Sequence, residues 1–434
     1  MEHAINYVGA WTSIVILVIA FVLFLTEWIP LVATAIMVPV ALVITGVLPY
    51  KVAFKDFANK WTLIFMFMFM MGEALFRTGF ADKVGRWAVT RGKGREKAIL
   101  ANIMIATAIL SAFLSNTGTT ICFLPIILAM IAEAGFSTKR FLMSLAFAAS
   151  FGGTMTLIGT PPNGVVEALL DKAHITSFGF FEFAEIGLPI AVVGILAMLF
   201  VGVRFLPEGM IDTSGDDYEG PKLDKNFQYR KEKMGLAVGL FVFIIFIMAA
   251  GKYVPFLHKT LHINLLVAAA LGAFLVIATG CITWKEAWQS VSWTTIFLFA
   301  CMFPMSSALV KTGGVLMIAH TFDSFVHSGF GLLVAMVLIT AFLTQFASNT
   351  ATTLIVAPIA LAAAKGMGVN PHPILMGVAM AASLCFMTPI ATPPNTIVLG
   401  PGRFKFVDYI KAGWFPQLLT TILVIVLIPI IWHF

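Results

Sequence analysis

The sequence predicts an all-α polytopic membrane protein whose two halves are inverted structural repeats, each with five transmembrane helices and one re-entrant helical hairpin. Three observations carry this prediction. Of the 434 residues, 60% are hydrophobic and only 11% charged, whereas a soluble domain carries about a quarter charged residues. The mean hydropathy is +0.97. A pair of polar motifs buried in apolar sequence also occurs twice at matched spacing.

The first motif is Ser115-Asn116-Thr117-Gly118-Thr119-Thr120, and it returns as Ser348-Asn349-Thr350-Ala351-Thr352-Thr353. Each copy has a downstream companion, Gly159-Thr160-Pro161-Pro162-Asn163 in the first half and Ala391-Thr392-Pro393-Pro394-Asn395 in the second. Asn116 and Asn163 are 47 positions apart; Asn349 and Asn395 are 46 apart. Pro125 and Pro358 follow the central asparagines at one distance. Trp61-Thr62-Leu63-Ile64-Phe65 is echoed by Trp293-Thr294-Thr295-Ile296-Phe297, and Arg77-Thr78-Gly79 by Lys311-Thr312-Gly313.

The elements follow in order. The first repeat, 1–206, holds apolar segments at roughly 11–28, 31–48, 61–78, 141–171 (broken at Pro161-Pro162) and 183–206. A polar stretch at 207–233, with Asp212, Asp216, Asp217, Glu219 and Asp224, reads as a cytoplasmic linker. The second repeat, 234–434, holds segments at roughly 233–250, 262–280, 293–311, 373–400 (broken at Pro393-Pro394) and 414–433. Each approaches the length of about 20 residues that crosses a bilayer as helix.

Segments 97–134 and 330–366 are too long for one crossing, and each carries a Ser-Asn-Thr run near its middle. Two half-length helices meeting at that run, entering and leaving by one face, explain both facts. Such backbone is tolerated where it lines a cavity or is buried in protein. A straight pair with a polar turn outside the membrane fits less well, because both flanks of the run stay apolar. Five crossings per repeat is an odd number, so the second repeat starts from the opposite face, and its hairpin approaches from the opposite side.

Charge gives orientation. With the N-terminus outside, eighteen Lys and Arg residues fall on cytoplasmic segments and eight on outer ones. This bias favours both termini extracellular in a multi-pass cell-membrane protein. The cluster Lys83, Arg86, Arg91, Lys93, Arg95 and Lys97 reads as a positive-inside loop rather than a nucleic-acid patch. The N-terminal segment has Glu2 and His3 before its apolar run and no small-residue cleavage site, which predicts a retained helix. Cys122, Cys281, Cys301 and Cys385 show no paired spacing, so neither a disulfide frame nor a zinc site is expected. His258 and His262 lack a third ligand nearby, and no phosphate-binding loop or acid/base constellation points to ATP or to an enzyme. No cofactor is expected. Glu73 and Arg77 read as a pair within one helix near the membrane edge, and Glu27 as interfacial.

A broken helix exposes N–H groups at one half-helix and C=O groups at the other. The first end suits an oxyanion, the second a small cation such as sodium. Asn offers a donor and an acceptor, so one residue can touch both. The paired prolines break the helix within the membrane and leave Thr160 and Thr392 on unwound links. A dianion held without Arg or Lys gains from co-bound cations, which is a physical reason for coupling.

These duplicated motifs resemble those of the divalent anion:sodium symporters, a family of di- and tricarboxylate transporters, over essentially the whole chain. The resemblance implies a homodimer in which a transport domain moves against a scaffold by an elevator-type motion. It implies carboxylate binding by Asn116, Thr117, Asn349 and Thr350, helped by Thr160, Pro161, Thr392 and Pro393. One sodium site would use Ser111, Ser115, Asn116 and Gly159, the other Thr344, Ala347, Asn349 and Ala391. Gln345 stands where an acidic residue is implied for many sodium-coupled members. Sodium-coupled symport of succinate-, malate- or fumarate-like dicarboxylates is the expected function. A sodium-independent dicarboxylate exchanger, and a citrate or sulfate transporter of the same family, are the alternatives. A channel, or the membrane subunit of a binding-protein-dependent transporter, fits less well.

Overall fold

The computed structural model describes residues 6–206, 228–250, 264–323 and 328–434. Glu2, His3, the His258/His262 pair and all of the linker before residue 228 fall outside them. The described residues form α-helices and short 3-10 turns, with no strand.

The first repeat runs α1 (Tyr7–Thr26), α2 (Leu31–Ile44), α3 (Tyr50–Ala53), α4 (Lys60–Arg77), α5 (Phe80–Arg91), α6 (Glu96–Ser111), α7 (Asn116–Glu133), α8 (Thr138–Gly153), α9 (Pro161–Lys172) and α10 (Ala184–Phe200). The second runs α11 (Met234–Ala250), α12 (Leu265–Ala278), α13 (Trp284–Ser290), α14 (Trp293–Thr312), α15 (Gly314–Asp323), α16 (Gly329–Leu343), α17 (Asn349–Gly366), α18 (Pro371–Ser383), α19 (Pro393–Leu399) and α20 (Phe406–Ile431). The two halves have the same order of elements. Both hairpins break at their Ser-Asn-Thr runs, α6 from α7 and α16 from α17. Both Pro-Pro motifs begin a new half-helix after an unwound link, α9 after 154–160 and α19 after 384–392. Proline at the first helical position is preorganised for this role, since its missing N–H would be unpaired there anyway.

Two expectations change. The basic cluster at 83–97 is not a loop. Most of it is α5, bent by 58° from α4. Its face of Ala81, Gly85, Ala88 and Val89 is buried against α6 and α7, while Arg86 pairs with Asp82 one turn back. Amphipathic helix thus satisfies both the charge and the apolar spacing. Several crossings are also shorter than drawn from composition: α2 and α12 have 14 residues and α10 has 17. Among the described residues four helices reach spanning length as single rods: Tyr7–Thr26, Lys231–Ala250, Trp293–Thr312 and Phe406–Ile431.

The packing falls into two groups. α1, α2, α4, α11, α12 and α14 pack on one another; α6 to α10 and α16 to α20 form the second group. α5 and α15 lie between the groups, α5 on the first hairpin and α15 on α17. The interior lies in the second group. α8 is buried from Phe141 to Gly153 and α18 from Pro373 to Ser383, without a polar face. A helix apolar all round is one enclosed by others. α1, α11 and α20 instead expose rows such as Val15, Val18, Ile19 and Val22, or Leu418, Ile422 and Val426, as a lipid-facing surface does.

The repeats also dock reciprocally. The Asn6 amide donates to the Thr312 carbonyl at 3.1 Å, and the Arg230 amide to the Arg77 carbonyl at 3.0 Å. The start of each repeat is thereby fastened to the end of the long helix of the other. Gly79 and Gly313, at φ +81° and +79°, make the same left-handed turn after those helices. At the Arg230–Arg77 junction Arg77 binds Glu73 as expected, at 2.6 Å, but Glu286 joins them and binds Arg230 through both oxygens at 2.8 and 3.2 Å.

Candidate functional site

The two hairpin tips are built alike. In the second repeat Thr344, in the last turn before the break, donates to Asn349 Oδ1 at 2.9 Å and to the Ala382 carbonyl at 2.8 Å. In the first, Ser111 Oγ donates to the Ala149 carbonyl at 2.8 Å and lies 2.6 Å from the Asn116 amide. The Asn116 amide position facing Ser111 also has the Ala149 and Gly159 carbonyls at 3.1 and 3.3 Å. Surrounded by acceptors, it is the NH₂ group, and Oδ1 is left facing the other way. In the second repeat the Asn349 backbone amide donates to the Ala391 carbonyl at 3.4 Å. Each asparagine therefore ties its hairpin tip to the unwound link of its own repeat.

The links are held just as regularly. Asn163 Nδ2 donates to the Gly153 and Thr156 carbonyls at 3.3 and 2.7 Å. Asn395 Nδ2 donates to the Cys385 and Thr388 carbonyls at 3.2 and 2.8 Å. Thr156 donates to the Ala112 carbonyl, and Thr388 to the Gln345 carbonyl at 2.7 Å. These bonds satisfy carbonyls freed by the helix breaks, which would otherwise be costly to bury. Gly153 shows how close the approach is: a Cβ there would stand within 3 Å of both ends of the Asn116 amide, 2.6 Å from the one that faces Ser111.

The remaining predicted residues sit on the same frame. Ser115 and Ser348 cap α7 and α17, accepting from the Gly118 amide at 3.0 Å and the Ala351 amide at 3.2 Å. Ser115 Oγ is thus engaged as a helix cap, the local reason that serine opens the motif. Thr117 is half-buried and Thr350 buried; Thr160 and Thr392 are buried at the starts of α9 and α19. Pro161 is partly exposed and Pro393 is exposed, each at the first position of its half-helix; Gly159, Ala347 and Ala391 are near the same frame and buried. The repeats interlock here: α9 packs on α17 and α18, and α19 on α7 and α8.

Asn163, Asn395, Thr156 and Thr388 were not among the predicted site residues. A threonine four positions before each Thr-Pro-Pro was the available signal. Thr119 and Thr352 were also passed over; both are buried at the third position after the asparagine, with hydroxyls that meet no partner. Gln345 has no equivalent in the first repeat, where Ala112 occupies its place. Its Nε2 donates to Gln417 Oε1 at 3.2 Å, and its Oε1 accepts from the Met387 amide and from Cys385 Sγ, both at 3.2 Å. A neutral amide pair thus braces the second link.

All of these groups are uncharged. Together they offer hydroxyl and carbonyl oxygens, fit for a small hard cation, beside the N–H ends of α7 and α17, fit for an anion. Among the described residues no cluster of His, Cys, Asp and Glu has a metal-binding arrangement.

Comparisons with known proteins agree with this plan. Residues 21–331 match the family described as "Citrate transporter", and residues 229–434 match "Sodium:sulfate symporter transmembrane region". The chain is 27% identical to the Escherichia coli transporter YfbS, with 96% of this chain and 98% of the relative covered. It is 26% identical to the sodium-dependent dicarboxylate transporter SdcS of Staphylococcus saprophyticus, with 93% and 82% covered. The solved YdaH transporter of Alcanivorax borkumensis shares the fold, at a TM-score of 0.65 and 13% identity, over 98% of this chain and 97% of that one. MtrF of Neisseria gonorrhoeae does so at 0.60 and 16%, over 90% and 84%. With its motifs duplicated, its links held by matched asparagines and most of its length matched by the family, the chain belongs to the citrate transporters and, with them, to the divalent anion:sodium symporters.

Proposed function

We infer that this membrane transporter carries a small dicarboxylate of the succinate, malate or fumarate type together with sodium. The single observation behind this reading is the matched hydroxyl–asparagine pair at the two breaks, Ser111 with Asn116 and Thr344 with Asn349. Each break has oxygens on one side and helix-end N–H groups on the other, so one carboxylate per tip gives a dicarboxylate two holds. With no Arg or Lys among these residues, bound sodium supplies the positive charge, and anion and cation favour each other's binding. Asn116, Thr117, Asn349 and Thr350 take the carboxylates, with Thr160, Pro161, Thr392 and Pro393 on the links. Ser111, Ser115, Asn116 and Gly159 take one sodium; Thr344, Ala347, Asn349 and Ala391 take the other. The similarity to SdcS, a sodium-dependent dicarboxylate transporter, supports both substrate and ion.

The repeats 1–206 and 234–434 are inverted in the membrane, with both termini outside, a reading supported by the distribution of Lys and Arg. The group formed by α6–α10 and α16–α20 moves as the transport domain against the scaffold in a homodimer. Uptake of labelled succinate into proteoliposomes, with and without an imposed sodium gradient, tests the function. Accumulation driven by the gradient supports it, and saturable uptake confined to vesicles preloaded with dicarboxylate replaces it with exchange. The neutral Gln345–Gln417 pair behind the second tip is the observation that favours that second reading.

A further inference from the structure

One buried acid lies outside the duplicated site. Glu167 is on α9, one turn beyond Asn163, and is fully buried. Its Oε1 accepts from the Phe178 amide at 2.8 Å, while Oε2 has no hydrogen-bond partner. The corresponding position of the second repeat, four residues after Asn395, is Leu399. The paired tips therefore do not need a carboxylate here. An isolated carboxylate held away from water is costly unless something neutralises it.

The surroundings offer a route rather than a counter-charge. The Ser177 side chain stands beside Glu167, and its hydroxyl donates to Asp171 Oδ1 at 2.9 Å. Asp171 Oδ2 in turn holds Lys60 Nζ at 2.7 Å and accepts from Trp61 Nε1 at 2.6 Å. The Asp171 and Lys60 side chains are about a third and two-fifths exposed, so this chain of groups leads from the buried acid to water. The other ionisable groups nearby are engaged elsewhere. Lys172 binds Asp56 at 2.8 Å and the Phe303 carbonyl at 2.9 Å; His372, from α18, meets the Thr176 carbonyl at 2.6 Å. α14 and α17, the other helices packed on α9, carry single lysines in their last turns, Lys311 and Lys365.

We propose that Glu167 is a proton-binding site of the moving body, loaded from water through Asp171 and Ser177, so that transport is linked to protons as well as to its anion. The proton enters from solvent at Asp171, passes through the Ser177 hydroxyl and ends on Glu167 Oε2, the carboxylate oxygen that has no partner. The relay ends at Lys60 and Trp61 on α4, outside the second packing group. Displacement of α9 from α4 therefore separates Asp171 from these partners and leaves the proton on Glu167. The proton site itself is independent of which anion is carried; the linkage rests on the transport reading above.

The test uses full-length protein and Glu167→Gln, an uncharged mimic of the protonated acid. Melting is followed by tryptophan fluorescence from mildly acidic to mildly alkaline pH. The wild type is expected to lose stability relative to the variant as pH rises, because the buried acid must then ionise. Parallel curves would overturn the site. Glu167→Leu, which installs the residue of the other repeat, gives the same comparison should the glutamine variant not fold. In proteoliposomes at equal pH on both faces, counterflow of labelled succinate is expected to slow with rising pH in the wild type and to lose that dependence in Glu167→Gln. An unchanged pH dependence would overturn the linkage. Absence of succinate counterflow in the wild type at every pH would instead remove the dicarboxylate reading, while the melting comparison still decides the proton site.

Discussion

Thr344 Oγ1 donates to Asn349 Oδ1 at 2.9 Å, bridging the gap between the two half-helices of the second hairpin. A hydroxyl at 344 is what this bond needs, and its repeat partner is the Ser111 hydroxyl against Asn116. Thr344→Ser is expected to keep transport within a few-fold of wild type. Thr344→Val keeps the shape and is expected to lose about ten-fold or more, most of it in sodium dependence. Initial uptake rates against sodium concentration check this.

Asn116→Ala and Asn349→Ala are each expected to abolish transport while leaving membrane insertion intact. The lost groups sit at the tips, not in the lipid-facing surface. Surface expression measured beside uptake separates the two effects. Normal uptake by either variant contradicts the assignment of the site.

Asn163 and Asn395 each hold two carbonyls of an unwound link. Replacement by Ala leaves those carbonyls buried and unpaired, a cost of about 1–3 kcal/mol per lost group. Both variants are expected to melt below the wild type, with uptake falling in step with the loss of link geometry. Thermal unfolding in detergent measures the first effect, and a wild-type melting temperature would refute it.

Glu286 lies on α13, a short helix whose Trp284 and Trp288 are exposed. Burial raises its pKa, but the Arg230 guanidinium and the Thr283 amide and hydroxyl outweigh it and hold the carboxyl down at about 2. A depressed folded pKa gives stability that is present above the usual value of 4.5 and lost as pH falls from there through about 2. After allowance for solvent screening, that stability is about 1–2 kcal/mol. Arg230→Ala is expected to lower the melting temperature at neutral pH and to flatten the acid side of the stability curve. A pH titration of melting for both proteins checks the sign.

Lys172 joins Asp56 and the Phe303 carbonyl, so it fastens α9 to the other packing group. On the proposed motion of the two groups, Lys172→Met removes that fastening and is expected to favour the arrangement in which α9 has moved away. Modification of a cysteine introduced near α9 by a membrane-impermeant thiol reagent, compared with the same cysteine in the Lys172 background, reads the change. Equal labelling rates contradict it.

Most of the frame of the candidate site could be read along the chain because both asparagines lie in short motifs with a fixed spacing, and the helix breaks follow from Ser-Asn-Thr and Pro-Pro. Asn163 and Asn395 were visible as letters, but not as the braces of the links. Their partners are carbonyls, and a carbonyl has no letter of its own. The Gln345–Gln417 pair spans 72 positions, and the Trp61–Asp171 bond spans 110. No local pattern announces either. α5 was missed because its charges were read before its apolar spacing.

Composition and repetition alone determined that this chain is a helical membrane protein made of two related halves, since solvent preference and helix breaking are properties of short stretches. Tertiary structure alone decided which freed carbonyl each asparagine holds, that the half-helix α9 lies on α17 of the other repeat, and that Glu167 is shut away with one oxygen unpartnered. These relationships depend on side chains from distant segments meeting in space. Packing specifies such meetings, and periodicity does not.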